Sequence, residues 1–315
     1  MTFSVVIPAY EAARTLRETI GSVLSQTRQD FEVIVVDDGS RDGTSALVEA
    51  IAAEDDRVKL YQQANAGPSA ARNRGISAGD SEYVSVLDSD DLWLPDYLAE
   101  MGRALDLNPR ASLAYTDAWV FEEASGRFHR ATAMARQRPP TETLSHEQFV
   151  ARLIQDNFIF SSVTVRRSAL EEVGGFDPDI PYSEDYELWL RMVISGFEAV
   201  GVADPLAVKR DRPDSRTFDQ GARGANAMVY KAVLERHPAS AQVRALAEAR
   251  LLETREFEER RSGPAGRVLM TARDALAAIA RVARAPRRLR AEPPPRVAQA
   301  FPELGRASRR PHAVG

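Results

Sequence analysis

The sequence contains no cysteine, which excludes a disulfide framework, a thiolate metal site and a thiol nucleophile. Lysine is scarce. Among 41 basic residues, Lys occurs at Lys59, Lys209 and Lys231 and the rest are Arg. Long apolar runs are missing too. No stretch approaches the ~18 to 20 apolar residues of a membrane span. The opening MTFSVVIPAY lacks the basic start and long apolar segment of a signal peptide and reads straight into a strand. A cytosolic protein is the expectation.

What is present suits a large globular chain. At 315 residues, 44% hydrophobic and 28% charged, it can bury one large α/β domain with a helical appendage, or two domains. The net charge of -5 hides an asymmetry. From Arg261 onward twelve Arg face three acids (Asp274, Glu292, Glu303), so a tail of about +9 follows a body of about -14. An acidic body argues against a nucleic-acid-binding core. A basic tail suits contact with anionic lipid or an acidic partner.

The first hundred residues alternate between two periods. Strand patterns at 3–8, 31–40, 57–63 and 82–88 are separated by helix patterns at 12–27, 43–55 and 67–79, and Pro95 opens another helix. Such strand–helix–strand units predict a mostly parallel sheet flanked by helices, with ligands beyond the carboxyl ends of its strands. Polar clusters follow each of three strands: PAYE, DDGS and DSDD. They should meet in one crevice. From 111 to 165 the pattern loosens into a hairpin (SLAYTDAWVFEEASGRFH), a mixed stretch and a strand within NFIFSSVTVRR. SEDYELWLRMVISG (183–196) reads as a compact helix. Helical patterns follow at 241–261 and 268–285, and the Arg- and Pro-rich remainder reads as unstructured.

Each cluster has a structural and a chemical reading. Asp88, Asp90 and Asp91 could be turn and capping residues. Three crowded carboxylates repel, however, unless a cation or protons relieve them. Mg²⁺ or Mn²⁺ takes one or two carboxylates and shares the rest with water and phosphate. A calcium loop is excluded, because its fifth and sixth positions would be Leu92 and Trp93. Asp37 and Asp38 form a turn or accept from a ribose hydroxyl or base N–H. A dinucleotide-binding domain also has an acid here, but its first turn is Gly-rich and PAYEAA contains no Gly. Tyr10 is either a boundary aromatic or a stacking surface for a base. Arg72 and Arg74 are either solvated or, for Arg72, facing an anionic group. Ser183, Glu184 and Asp185 suit a helix N-terminus. A proton-accepting Asp185 must instead point into the crevice. The helix terminus would lower its pKa and the neighbouring acids would raise it.

In this order VVIPAYEAARTLRETIGSVLSQT, FEVIVVDDGSRDGT, NAGPSAARNRGI, VLDSDDLW, GGFDP and SEDYELWLR resemble a family 2 glycosyltransferase with the GT-A fold, over residues 3 to 215. The resemblance implies an inverting transferase that uses a nucleotide-sugar, usually a UDP-sugar, and a divalent cation, Mn²⁺ or Mg²⁺. It implies that Pro8, Ala9, Tyr10 and Glu11 line a nucleoside pocket, that Asp38 contacts the base and that Arg72 is a pocket arginine. Asp88 and Asp90 match the metal-binding DxD motif, with Asp90 the direct ligand and Asp91 a substitute. Asp185 matches the catalytic base. One segment departs: where members carry a His in R-x-H-P-x-S, KRDRPDSRT (209–217) places Arg212, which clamps a diphosphate but cannot ligate a metal.

The expected organisation is a catalytic domain at 1–215, a helical extension at 216–285 and an unstructured tail at 286–315. The expected partners are the nucleotide-sugar and a saccharide, lipid-linked or other hydroxyl acceptor, in cell-surface polysaccharide or glycoconjugate synthesis. A second reading is an inactive nucleotide-sugar-binding or assembly protein, suggested by Arg212. A nucleotidyltransferase is disfavoured by the missing Gly-rich turn. In 268–285, Leu269, Leu276, Ile279 and Val282 share a face while Arg273, Arg281 and Arg284 lie elsewhere. That segment either packs on the catalytic domain or rests on the inner, anionic face of a membrane, where a lipid-linked acceptor would be found.

Overall fold

Two apolar runs without polar alternation, FSVVIPA and FEVIVVD, form β1 (Phe3–Ala9) and β2 (Phe31–Asp37). All seven residues of β2 are buried, as in a parallel strand covered by helices on both faces. The computed structural model describes residues 2–130, 145–155, 157–159, 161–212, 222–237, 239–262 and 292–307. Helix α1 (Leu16–Leu24) buries Leu16, Ile20 and Val23 at helical spacing. With α2 (Thr44–Ala52) and α3 (Pro68–Ala78) it connects β1, β2, β3 (Val58–Gln62) and β4 (Tyr83–Val86). β1 runs parallel to β2 and β4, and β2 parallel to β3.

The register decides where the polar clusters go. Ala9 lies opposite Asp37, and Val6 opposite Val86. The chain therefore leaves β1 at Tyr10, β2 at Asp38 and β4 at Leu87–Asp88 on one edge of the sheet. The backbone ties confirm this: Asp38 N–H donates to the Ala9 carbonyl at 2.8 Å and Leu87 N–H to the Val6 carbonyl at 3.1 Å.

The second half of the sheet differs from the expected parallel pattern. After β5 (Leu92–Trp93), α4 (Tyr97–Leu107), β6 (Ala111–Glu122), β7 (Arg127–Arg130) and α5 (His146–Gln155), strand β8 (Val163–Arg166) inserts between β4 and β6, antiparallel to both. α6 (Arg167–Val173) and α7 (Glu184–Ile194) follow, and β9 (Glu198–Asp211) pairs antiparallel with β5. The sheet has nine strands in the order β3-β2-β1-β4-β8-β6-β9-β5, with β7 on β6 as the expected hairpin. Local periodicity marks β8 as a strand. It does not reveal that a late strand enters between two earlier ones, which is a matter of tertiary packing.

The chain divides into two compact units, residues 1–120 with 130–210, and 121–129 with 211–315. The first holds the core in which Phe3, Leu16, Ile20, Phe31, Trp93 and Tyr97 are buried. In the second, helices Ala222–Arg236 and Ala241–Ser262 pack on each other, burying Val229, Val233, Val243 and Ala247. Residues 268–285 lie outside the described residues. Within 286–315, expected to be unstructured, Pro295–Ala300 and Pro302–Ala307 are short helices with Val297, Phe301 and Leu304 buried. No helix among the described residues is long and apolar enough to cross a membrane.

α3 lies tight against the sheet because Gly75 has no side chain. A Cβ there would stand 2.5 Å from Val6 Cγ1 and 3.2 Å from Val36 Cγ2. Alanine would gain about 1 kcal/mol of helix propensity, but overpacking costs about 1–3 kcal/mol. Gly75→Ala is therefore expected to lower the midpoint of urea unfolding, with a net loss of up to about 2 kcal/mol. An unchanged or raised midpoint would show that α3 can lift off the sheet without penalty.

Candidate active site

The loops after β1 and β2 are stitched into one wall. Glu11 has a left-handed backbone (φ 49°), uncommon for a residue with a Cβ. The turn aims successive backbone groups at the neighbouring loop. Glu11 N–H donates to Ser40 Oγ (2.9 Å), Ala12 N–H to Thr44 Oγ1 (2.9 Å) and Ala13 N–H to Asp42 Oδ2 (3.0 Å). In return Arg41 N–H donates to Glu11 Oε1 at 2.8 Å. Ala9 is buried and Pro8 half-buried beneath, while Tyr10 projects with 55% of its surface exposed.

Asp37 and Asp38 are both buried. Asp37 closes its own turn, accepting from Ser40 N–H (2.9 Å) and the Ser45 hydroxyl. Asp38 reaches across to the turn that starts α3. Its Oδ1 accepts from the Gln63 side-chain amide and from Ala66 N–H, and its Oδ2 from Gly67 N–H, each at 2.8 Å. A carboxylate has about four acceptor sites, so Asp38 retains capacity for one more donor.

The Asp88–Asp91 loop is pinned at each residue for which a partner is resolved. Asp91 N–H donates to the Asp88 carbonyl at 3.1 Å. The Ser89 carbonyl accepts from Thr15, the N-cap of α1, and from Thr19 within it, both at 3.0 Å. Asp91 is buried, and its Oδ1 accepts Arg210 N–H of β9 at 2.9 Å. Burial and neighbouring Asp90 push its carboxyl well above the usual range. Asp91 thus anchors the loop to β9.

Arg72, buried on α3, joins the two acid segments. Its Nη2 donates to Asp88 Oδ1 at 2.8 Å and its Nη1 to Glu184 Oε1, 112 residues further along the chain, at 2.7 Å. Its guanidinium lies 5.2 Å from the Phe176 ring centroid, a cation–π distance. Burial opposes the Asp88 charge, but Arg72 more than offsets it and holds the carboxyl below its usual range. Burial likewise opposes the charge on Arg72, yet the two acids hold the guanidinium more firmly protonated than usual.

Asp185 follows at the start of α7. Ser183 takes the N-cap position in a left-handed conformation (φ 57°) without a capping side-chain hydrogen bond. Glu184 turns to Arg72, and Asp185 Oδ1 accepts Tyr186 N–H at 2.7 Å. Burial first, then Glu184, then Asp88 push Asp185 up to about 6, with Arg72 opposing. The neighbouring acids and burial therefore outweigh the helix terminus.

Several residues that sequence reasoning passed over complete the arrangement. Asn73 clasps the GGFD turn, donating to the Phe176 carbonyl and accepting Phe176 N–H, both at 2.8 Å. Arg191 of α7, paired with Glu187 at 2.9 Å, donates to the Gly175 carbonyl at 2.6 Å and to the Val173 carbonyl. The turn seats Phe176 under Arg72. A signal was available in the i,i+4 spacing of Glu187 and Arg191. Lys209 had none. The β5–β9 register, Leu92 opposite Val208, sets it beside Asp91. Burial works against its charge, but Asp91, Asp88, Asp185 and Asp90 raise its pKa above the usual lysine value. Arg212 follows β9 and belongs to the second unit.

The family described as Glycosyl transferase family 2 matches residues 4–174. TuaG of Bacillus subtilis, named as a teichuronic acid biosynthesis glycosyltransferase, is 30% identical over 66% of this chain and 78% of its own. An uncharacterized glycosyltransferase of Rickettsia conorii is 46% identical over 30% of this chain, but that match spans 15% of the longer protein. Among solved structures, S. aureus TarS superposes with a TM-score of 0.60 at 18% identity, over 84% of this chain and 74% of that one. A mannosyltransferase of Pyrobaculum calidifontis, solved with GDP-Man and Mn²⁺, superposes with a TM-score of 0.56 at 19% identity, over 88% and 80%. At these identities the structural likeness is one of fold.

Removing one partner of a buried ion pair costs about 3–5 kcal/mol, and Arg72 has two partners. Asp88 keeps 31% of its side chain exposed, so the lower figure is expected for Arg72→Met at neutral pH. Arg72 depresses the Asp88 pKa. That stabilisation is present above the ordinary carboxylate pKa and is lost as pH falls through the depressed one. The stability gap between wild type and variant, measured by denaturant titration, should narrow in acid. A gap independent of pH would mean that the bridge contributes little.

Proposed function

Starting from a chain that belongs to glycosyl transferase family 2, has the GT-A fold and is a glycosyltransferase, we propose that it moves a sugar from a nucleotide-sugar to an acceptor hydroxyl in one inverting, metal-assisted displacement. The observation that carries this reading is the Arg72 bridge, which brings the Asp185 segment to the acids at the end of β4. TarS has been solved with UDP-GlcNAc and the Pyrobaculum enzyme with GDP-Man, and the donor proposed here is of that class, a UDP-sugar first.

Asp185 takes the proton of the attacking hydroxyl. A raised pKa suits it, because a base titrating near the working pH is both available and strong enough. Tyr10 provides the exposed face for the nucleobase, and Pro8, Ala9 and Glu11 complete that wall. Asp38, with one acceptor site remaining, takes a base or ribose donor. Asp90 and Asp88 are the residues that would hold a divalent cation. Their hard oxygens suit Mg²⁺ or Mn²⁺. Asp88 has one oxygen committed to Arg72 and Asp91 is committed to β9, and among the described residues no group of three or more His, Cys, Asp or Glu is placed to hold a metal. The set fits a cation that draws its other ligands from phosphate and water. When bound, such a cation neutralises charge developing on the leaving diphosphate.

The acceptor is read as a saccharide or lipid-linked hydroxyl in surface polysaccharide or glycoconjugate synthesis, reached at the inner face of a membrane on which the basic residues after 261 rest. The full chain should therefore pellet with anionic vesicles and not with neutral ones. Equal recovery from both would remove the membrane contact from this reading.

Asp185→Asn should lower kcat by about 10²–10⁴-fold while leaving binding of UDP within a few-fold. Wild-type kcat/KM should fall as pH drops through about 6, where Asp185 becomes protonated. A raised acid pKa also means that the charged form costs stability. That cost is absent below the ordinary carboxylate range and complete above about 6. The Asn variant should accordingly melt higher than wild type at neutral pH. Full activity in the variant would overturn the base assignment.

A further inference from the structure

Lys209 places a cation beside Asp91, in the loop that carries the acids the proposed reaction needs for a metal. Arg72 already pairs with Asp88 and Glu184, so its charge is spent on them. The remaining carboxylates of the cluster are Asp90, Asp91 and Asp185. Strand pairing sets Lys209 next to Asp91, whose own carboxylate is tied to the adjacent Arg210 N–H. Val208 is buried on one side of β9, and Lys209, the next residue, takes the other side and is half-buried. Its backbone lies between Val208, paired with Leu92, and Arg210, whose N–H donates to Asp91.

We infer that Lys209 is a built-in counter-charge that keeps the divalent cation from loading onto the acids alone, so that cation and donor diphosphate enter together. The inference rests on the metal-assisted reading above and extends it to the order of binding. A unit positive charge among the acids repels a dication that approaches without phosphate. A dication arriving with the donor diphosphate, which carries about two negative charges, is part of an assembly of net charge near zero, so Lys209 no longer repels it. Asp88 and Asp90 need not be released from any protein partner for this to operate, because the effect is one of field and not of displacement. Lys209 acts through the cluster and is a positioning residue in this sense.

The test measures Mn²⁺ binding by electron paramagnetic resonance, with and without UDP or GDP, at a pH above the range in which Asp185 titrates. Wild type should bind Mn²⁺ weakly alone and markedly tighter with one of the nucleotides. Lys209→Met should bind Mn²⁺ alone on the order of tenfold tighter and lose much of the enhancement by nucleotide. Lys209→Arg should behave as wild type, and Lys209→Gln serves if the Met variant does not fold. Nucleotide-enhanced binding in wild type with no tightening in the neutral variants would overturn the role of Lys209 and leave the metal reading standing. Nucleotide binding that needs no Mn²⁺ and disappears in Lys209→Met would make Lys209 the donor's cation and overturn the inference. Absence of Mn²⁺ binding in wild type under all conditions would overturn both.

Discussion

The bridge from Arg72 to Asp88 and Glu184 is the interaction on which the site depends. A parallel sheet delivers carboxylates to one edge, and the first turn of α7 brings Glu184 and Asp185. Left to themselves these groups repel in a partly buried setting where water screens little. One guanidinium with two hydrogen-bonding nitrogens offsets that repulsion and holds the Asp88 segment against Glu184, itself 112 residues from Arg72. Lysine, a point charge without a planar fork, would not hold two carboxylates in register.

The bridge is in turn positioned by α3. That helix begins where Asp38 grips the backbone at Ala66 and Gly67, lies against Val6 and Val36 by virtue of Gly75, and clasps the GGFD turn through Asn73. The proposed nucleoside wall, metal-binding loop and base are therefore mechanically joined through one helix. Asp38 in particular is as much a foundation for α3 as a ligand contact. Its motif position is explained by structure before any substrate is considered.

The carboxylates of this site are driven apart in pKa by their surroundings. Arg72 holds Asp88 charged, while burial and like charges push Asp185 and Asp91 upward. Divergent environments of neighbouring acids are what separate a ligand from a base in one crevice. Backbone strain falls in the same region. Among the described residues, the non-glycine residues with positive φ are Glu11, in the turn after β1, and Ser183, at the N-cap of α7. Strain of this kind persists only where surrounding contacts over-determine it, and the cross-stitching of Glu11 to Ser40 and Arg41 is such a set of contacts.

The sequence by itself determined β1 to β4 and α1 to α4, the hairpin at β6–β7, the helix at α7, and the fact that acids follow strand ends, but not the short strand β5. These are local properties: period-two and period-3.6 patterns state which residues are buried, and a short polar run after a buried strand marks its exit. The motif order also carried the family. Tertiary structure alone decided that β8 enters antiparallel between β4 and β6, that Arg72 faces protein carboxylates, that Asp91 is an anchor, and that Lys209 stands among the acids. It also decided the contest over Asp185, where burial first, then adjacent Glu184 and, after these, Asp88 outweigh a helix terminus visible in the sequence. The physical reason is common to all of these. Strand pairing and electrostatic fields are set by groups far apart in the chain, and their strength depends on how much water packing leaves between them.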